Sequence, residues 1–151
     1  MAIAACYELD IHTMDVVGAY LNGELNKTIY MEQLPGYEDE TNHVYRLCHP
    51  LYGLKQSGAI WNKKLNSEFI SLGFTRLIAD QCVYIQQNTN SIVIVAISVD
   101  DMAILASSNT LMSQVKSDLN SKLDTQDLGP VKQILDMEIT QDKTTGSITI
   151  T

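Results

Sequence analysis

The stretch SIVIVAISVDDMAILA, residues 91–106, places two adjacent aspartates between two apolar segments. The first segment is rich in Val and Ile with almost no polar alternation, which is typical of a strand buried on both faces. Asp100 and Asp101 interrupt the apolar run, and aspartate is common in tight turns. The stretch therefore predicts two apolar strands joined by a short acidic turn.

The acidic turn has two interpretations. A pair of aspartates at the tip of a hairpin is often simply solvated. Alternatively, Asp100 and Asp101 belong to a carboxylate cluster that binds a divalent metal, since Mg²⁺ prefers oxygen ligands. Such a cluster needs a carboxylate from another strand, and Asp15, at the end of a predicted strand over 7–16, is the obvious candidate. Three such carboxylates could hold two metal ions about 3.5–4 Å apart, as in polymerases and nucleases.

Two helices are predicted outside this stretch. The first covers residues 57–72 and ends at Gly73, a natural C-terminal cap. Its apolar residues recur at helical spacing and form one stripe: Leu54, Trp61, Leu65, Phe69 and Leu72. The second helix begins at Ser108 or Asn109, either of which can cap it, and runs to about Leu123.

The remaining segments with strand character complete the predicted fold. They are residues 7–16, 28–33, 43–48, 82–87, 91–99, 102–106, 133–140 and 147–151. The order of strands and helices predicts an α+β domain in which two helices pack on one face of an antiparallel sheet. We expect a single domain over residues 1–151, because no linker, repeat or low-complexity stretch divides the chain.

Composition and charge exclude several classes of protein. The chain has 151 residues, of which 45% are hydrophobic, so it can bury a core and is not a disordered protein. No apolar run reaches the roughly 20 residues of a membrane span. Ten Lys and Arg against 18 Asp and Glu give a net charge of −8, the wrong sign for a free-standing binder of phosphate backbones.

The termini and the cysteines suggest an intracellular protein. The apolar start, residues 1–6, is too short for the core of a signal peptide, and acidic residues follow it. The three cysteines are odd in number and far apart, so they predict neither a disulfide framework nor a zinc site. A cytoplasmic, reducing location is therefore expected.

Six segments carry a more specific signal. They are MDVVGAYLNGEL at 14–25, IYMEQLPGY at 29–37, LYGLKQSGAIW at 51–61, LGFTRLIADQCVYI at 72–85, SVDDMAILASS at 98–108 and LDTQDLGPVKQILDMEI at 123–139. In this order they resemble consecutive blocks of the reverse transcriptase domain of copia-type LTR retrotransposons. The match runs from about Leu9 to Ile139, nearly the whole chain. The sequence is therefore identified as a palm-region fragment of a Pol polyprotein.

The resemblance implies a fold, an activity and a cofactor. The fold would be the palm of a right-hand polymerase, and the ancestral activity RNA-directed DNA synthesis by two-metal nucleotidyl transfer. Asp15, Asp100 and Asp101 would be the catalytic residues and would bind Mg²⁺ or Mn²⁺. The ancestral partners would be an RNA/DNA primer–template and deoxynucleoside triphosphates.

The resemblance also implies three substrate-binding residues, each with a simpler interpretation. Gln56 would lie near the incoming nucleotide and template, or be a surface residue before a helix. Lys55 would lie beside it, or be a solvated basic residue. Tyr20 would lie under the incoming sugar and exclude its 2′-hydroxyl, or be a core aromatic. We interpret Trp61, which also matches the family, as a core residue.

Several positions depart from the family pattern. Ser98 replaces the Tyr of the active-site turn, and Val17 and Gly18 replace Lys and Thr. Residues 58–59, Gly-Ala, replace Pro-Arg and so remove a cation near the substrate. Asp136 replaces a Gly of the closing block and places a charge there.

Three hypotheses about function follow. In the first, the chain is a reverse transcriptase fragment that lacks the fingers region and RNase H and is inactive alone, with only weak nucleic-acid binding. In the second, it is a non-enzymatic remnant or co-opted interaction domain on the same fold. A third, a small ferredoxin-like ligand-binding module, explains the predicted fold but not six ordered blocks.

Overall fold

A computed structural model describes residues 1–151 as a mixed α/β fold. The helices are α1 (Ala2–Cys6), α2 (Ser57–Ser71) and α3 (Asn109–Asn120), with a 3-10 helix over Ala19–Asn22. The strands are β1 (Asp10–Val16), β2 (Tyr30–Met31), β3 (Tyr45–Arg46), β4 (Thr75–Arg76), β5 (Val83–Asn88), β6 (Ser91–Ser98), β7 (Asp101–Ala106), β8 (Thr125–Pro130), β9 (Gln133–Ile134), β10 (Met137–Asp142) and β11 (Ser147–Ile150).

The strands form three sheets in which every pairing is antiparallel. The largest sheet has six strands in the order β4-β5-β6-β7-β1-β8. A second sheet has the order β11-β10-β9, and β2 pairs with β3 alone. The expected α+β class with an antiparallel sheet is therefore confirmed.

Strand β6 lies in the interior of the large sheet, as its sequence predicts. Three consecutive residues, Val93, Ile94 and Val95, are buried, so both faces of the strand are covered. Alternate side chains of a strand point to opposite faces. The Val- and Ile-rich composition therefore places one apolar layer against each face of the sheet.

Two helices lie against one face of this sheet. Residues that are paired directly across neighbouring strands share a face of the sheet. One such row crosses β5, β6, β7 and β1 and consists of Tyr84, Val95, Ile104 and His12. Phe69 of α2 stacks on Tyr84, with ring centroids 4.5 Å apart. Lys116 of α3 contacts His12, as described below, and the buried side of α3 is formed by Met112, Val115 and Leu119.

An apolar cluster covers part of the opposite face. Three of its residues are successive cross-strand partners in β6, β7 and β1, namely Ile94, Leu105 and Ile11. Its other buried members come from the N-terminal residues, the start of β1, β7 and the region around β10: Ala4, Leu9, Ala103, Val131 and Ile139. This face is therefore packed by α1 and the small sheet rather than by a long helix.

The ends of the two longer helices follow local rules. The Ser108 hydroxyl caps α3 by accepting a hydrogen bond from the backbone N–H of Leu111 at 3.3 Å. Gly73 follows α2 with a φ of +84°, a left-handed conformation that ends helices and favours glycine. Trp61, Leu65 and Phe69 are buried, which confirms the predicted apolar stripe of α2.

Several local features differ from the predictions. The strand predicted over 7–16 begins only at Asp10, because residues 2–6 form α1. The segment 133–140 is not one strand but β9 and β10, separated by a turn at Leu135 and Asp136. Strands β4 and β8 were not expected. Both are edge strands, and β8 is largely exposed and polar, so neither has the apolar alternation that predicts a strand.

The chain divides into two compact units. One comprises Met1–Val17 and Asn66–Thr151, and the other comprises Gly18–Leu65. The six-stranded sheet, α3 and the small sheet belong to the first unit, whereas β2, β3 and the 3-10 helix belong to the second. None of the helices combines the length and the apolar character needed to cross a bilayer.

A charged network ties β1 to α3 and β8. The Lys116 ammonium donates to the Asp127 carboxylate at 2.6 Å and to Nδ1 of His12 at 2.7 Å. An ammonium has no acceptor, so Nδ1 of His12 must accept, which requires the neutral ring with its proton on Nε2. Burial first, and then the Lys116 charge, lower the pKa of His12, although Asp127 and Asp10 act in the opposite direction.

We expect the His12→Gln substitution to weaken the pH dependence of stability. A histidine in an unfolded chain titrates near pH 6.5, and the folded chain holds a lower pKa. As the pH falls below about 6.5, the unfolded chain takes up the proton first, so the wild-type protein loses stability. Melting temperatures measured between about pH 7.5 and pH 5.5 should fall more steeply for wild type than for the variant.

His43→Gln is the matched control, because His43 lies in a loop with a side chain that is 80% exposed. It should keep the wild-type slope. Identical slopes for wild type and His12→Gln would contradict the role given to the network.

Candidate functional site

Two of the predicted carboxylates face each other across neighbouring strands. Asp15 in β1 is the direct cross-strand partner of Asp101 in β7. The backbone N–H of Val16 donates to the carbonyl of Asp100 at 2.9 Å. This bond flanks the Asp15–Asp101 pair, so the pair itself is of the non-hydrogen-bonded kind, in which Cα atoms are only about 4.5 Å apart and side chains are closest.

The turn that carries Asp100 has a strained backbone. Ser98 pairs with Asp101, so Val99 and Asp100 form a two-residue hairpin turn. Val99 has a φ of +56°, in the left-handed region that β-branched residues rarely adopt. Two-residue hairpins require such angles because only these turns match the twist of the strands. The pairing of β6 and β7 therefore holds Asp100 beside the paired carboxylates.

The neighbouring carboxylates of the site repel one another electrostatically. Partial burial raises the pKa of Asp101, and the charges of Asp100, Asp15 and Asp136 raise it further, in that order. The raised pKa means that the folded protein resists the ionised form of Asp101. A cation near this carboxylate would relieve the repulsion.

A cavity of about 560 Å³ opens beside Asp101. Its lining comes from strands of the large sheet, including residue 128 of β8, and from β9 and the β9–β10 turn. The lining residues are Thr13, Met14, Ala96, Ile97, Ser98, Asp101, Met102, Ala103, Leu128, Gln133, Ile134, Leu135 and Asp136. The lining contains two carboxylates and no Lys, Arg or His.

Whether these residues suit Mg²⁺ depends on number as well as type. No group of three or more His, Cys, Asp or Glu side chains is arranged to hold a metal ion, so the three predicted ligands do not form a complete protein site. Mg²⁺, however, is usually bound by one or two carboxylates together with water and substrate phosphates. Asp15 and Asp101, which share one face of the sheet and carry hard oxygen donors, fit that requirement.

The three predicted substrate-binding residues lie in the other compact unit, Gly18–Leu65. Tyr20 is in the 3-10 helix, half-buried, with its ring centroid 4.5 Å from that of Tyr52. Lys55 is exposed in the turn before α2. Gln56 is half-buried, and its carbonyl accepts from the N–H of Ile60 in the first turn of the helix.

One residue near the carboxylates was not predicted to belong to the site. Asp136 was noted only as a replaced glycine, whereas the structure places it in the lining of the cavity and within electrostatic reach of Asp101. The sequence did not reveal the turn at Asp136, because residues 133–140 look like one continuous strand. Only a turn between Ile134 and Met137 brings Asp136 to this place.

The sequence matches a known family over its full length. Residues 1–151 match the family described as "Reverse transcriptase (RNA-dependent DNA polymerase)". The chain belongs to this reverse transcriptase family. The resemblance to copia-type elements predicted from the six ordered segments is confirmed, and the chain corresponds to the reverse transcriptase region of a transposon Pol polyprotein.

Individual relatives of this reverse transcriptase chain come from plants and yeast. It is 36% identical over 151 residues to the retrovirus-related Pol polyprotein from transposon TNT 1-94 of Nicotiana tabacum, covering 98% of this chain and 11% of the relative. It is 33% identical over 139 residues to a putative transposon Ty5-1 protein of Saccharomyces cerevisiae, covering 91% of this chain and 45% of the relative.

A third relative is the retrovirus-related Pol polyprotein from transposon RE1 of Arabidopsis thaliana, which is 30% identical over 140 residues, covering 91% of this chain and 10% of the relative. The reverse transcriptase chain thus spans about a tenth of the two Pol polyproteins and less than half of the Ty5-1 protein. No solved structure matches it.

We expect Asp101→Asn to stabilise the metal-free protein near neutral pH. Because the folded-state pKa of Asp101 is raised, ionisation of this carboxyl lowers the stability as the pH rises above the unfolded value of about 3.9. The amide removes the charge at similar volume. Since Asp101 is exposed and screened, the rise in melting temperature should be small, about one or two degrees.

The comparison is made by thermal unfolding in EDTA at pH 7 and again at pH 4. The gain of the variant over wild type should shrink at the lower pH, where the carboxyl of the wild type becomes protonated. A variant that is less stable than wild type at pH 7 would contradict the repulsion described here.

Proposed function

We propose that the chain carries the metal-binding centre of a polymerase palm, whose ancestral reaction is RNA-directed DNA synthesis by two-metal nucleotidyl transfer. The single observation that carries the proposal is the direct pairing of Asp15 with Asp101 in a chain of the reverse transcriptase family. The antiparallel sheet with α2 and α3 against one face supports the palm assignment.

The chain's own residues would hold and orient the reacting groups. Bound Mg²⁺ or Mn²⁺ would activate the primer 3′-hydroxyl and neutralise charge at the triphosphate. Asp15 and Asp101 would hold the ions from adjacent strands, whose backbone pairing sets the two residues opposite each other. Asp100, in the strained turn, would supply the third carboxylate once substrate oxygens complete the coordination.

We assign the substrate-binding roles to the second unit. Tyr20 would contact the incoming sugar, and its ring is already oriented by the Tyr52 ring. Lys55 and Gln56, at the start of α2, would contact the nucleotide and the template. These assignments rest on the family resemblance of the segments 14–25 and 51–61.

Synthesis by these 151 residues alone is not expected. The chain carries a net charge of −8, and no cation lines the cavity beside Asp101. Residues 58–59, Gly-Ala, stand where the family has Pro-Arg. Binding of a polyanion depends on neutralising its phosphates, so the primer–template would be held weakly. Misplacement of reacting groups by about 1 Å can already cost a hundredfold in rate.

The alternative is a non-enzymatic remnant or interaction domain on the same fold. It is favoured by one observation: the protein side chains do not by themselves form a complete ligand group for a metal ion. The two functions differ in whether the paired carboxylates bind a divalent cation, which can be measured without any assay of synthesis.

We expect millimolar Mn²⁺ or Mg²⁺ to raise the melting temperature of the wild-type protein. An ion that binds the folded state stabilises it by mass action, and here it would also relieve the repulsion between Asp15 and Asp101. The shift should be absent in the double variant Asp100→Asn, Asp101→Asn. Differential scanning fluorimetry with a metal titration measures it.

Asp118→Asn is the matched control for this experiment. It removes a carboxylate from α3, which packs on the other face of the sheet, and should keep the metal-dependent shift. An unchanged melting temperature of wild type with both ions would contradict the proposed metal centre and favour the non-enzymatic alternative.

We expect no primer extension above background by the purified chain on poly(rA)/oligo(dT) with Mg²⁺ or Mn²⁺. The paired carboxylates are present, but the groups that would hold a polyanion are too few. Extension is measured with labelled primer on a denaturing gel. Clear synthesis that is lost on Asp100→Asn would contradict this expectation and make the chain a minimal polymerase.

A further inference from the structure

The turn between β9 and β10 has an unusual backbone. Ile134 pairs with Met137, so Leu135 and Asp136 are the two central residues of a tight hairpin. Both have positive φ, +49° and +65°, as the common type I′ hairpin turn requires. Leucine is poorly suited to this conformation, whereas Asp and Asn tolerate it. The pairing of Ile134 with Met137 therefore places residue 136 in the turn that joins β9 to β10.

This turn brings a carboxylate to the cavity that opens beside the catalytic strands. Asp136 and Leu135 line one wall, and Ser98 and Asp101 line another. The charge of Asp136 acts on Asp101 across this space. Every ionisable group in the lining is acidic, since the other polar lining residues, Thr13, Ser98 and Gln133, are neutral.

We propose that the carboxylate of Asp136 weakens the binding of nucleic acid beside Asp15 and Asp101. The inference rests on the proposed function, because it takes Asp15 and Asp101 as the place that a primer end approaches. A phosphate that enters the cavity meets two negative charges and no compensating cation. Like charges within one cavity repel even in a partly solvated site, and salt screens this repulsion.

The test is Asp136→Asn, which removes the charge, keeps the shape and tolerates the left-handed backbone. Binding of a fluorescein-labelled DNA primer annealed to an RNA template is measured by anisotropy in EDTA, so that no metal neutralises the carboxylates. At low salt the variant should bind about two- to fivefold more tightly than wild type. The gain should shrink as the salt rises towards about 0.15 M.

Two further variants separate the local charge from other effects. Asp118→Asn removes the same charge from α3 on the other face of the sheet, and it should leave the affinity within the error of wild type. Asp136→Gly also removes the charge but relaxes the backbone at the positive φ, so it should give the same gain as Asp136→Asn. Melting curves establish that each variant is folded.

Equal gains for Asp136→Asn and Asp118→Asn would overturn the inference, because net charge alone would then explain both. A gain for Asp136→Gly without one for Asp136→Asn would also overturn it, because the backbone would be responsible. These outcomes are independent of the metal titration: an absent metal shift in wild type contradicts the proposed function, whereas equal binding gains contradict only the role of Asp136.

Discussion

The antiparallel pairing of β1 with β7 is the constraint on which the site depends. Asp15 and Asp101 are far apart in the sequence, and only the register of these two strands makes them neighbours. The same register sets Ile11 opposite Leu105 in the apolar cluster on the same face of the sheet, and His12 opposite Ile104 on the other face. The same register therefore determines both which apolar residues are buried and where the carboxylates lie, because a shift in register would move both sets of side chains.

The site is electrostatically unfavourable in the isolated chain, and the fold tolerates it for a specific reason. The carboxylates lie at the end of the strand pair, beside a short turn, where water reaches them. The apolar cores lie further along the same strands, and their burial exceeds what the repulsion costs. This arrangement separates the part of each strand that stabilises the fold from the part that carries the carboxylates.

The long, strongly patterned elements could be predicted from the sequence. Burial and local hydrogen bonding select particular residue types at particular positions, so they can be recognised in the sequence. Examples are the apolar run of β6, the apolar stripe of α2 and the capped start of α3. The carboxylate pair was predicted from the end of one strand, the turn of another and the family resemblance. The assignments of Tyr20, Lys55 and Gln56 remain predictions, since they concern residues of the other compact unit.

The elements that could not be predicted depend on partners rather than on their own residues. The segment that forms β8 is polar and largely exposed, and it is a strand because its backbone pairs with the edge of β1. Helix α1 is too short for a periodic pattern. The turn at Leu135 and Asp136 contains no glycine, and leucine is poorly suited to a positive φ, so Asp136 alone is a weak signal for two left-handed residues. The pairing of Ile134 with Met137 imposes this conformation on both.

The pairing of β1 with β7 also sets which changes in chain length the molecule tolerates. Residues 17–99 connect the two strands without pairing β1 to β7, so insertions in surface loops there leave the carboxylates opposite each other. Deletion of one residue inside β1 would turn every later side chain of that strand to the other face. Changes in chain length should therefore be tolerated within these loops far more readily than within either strand.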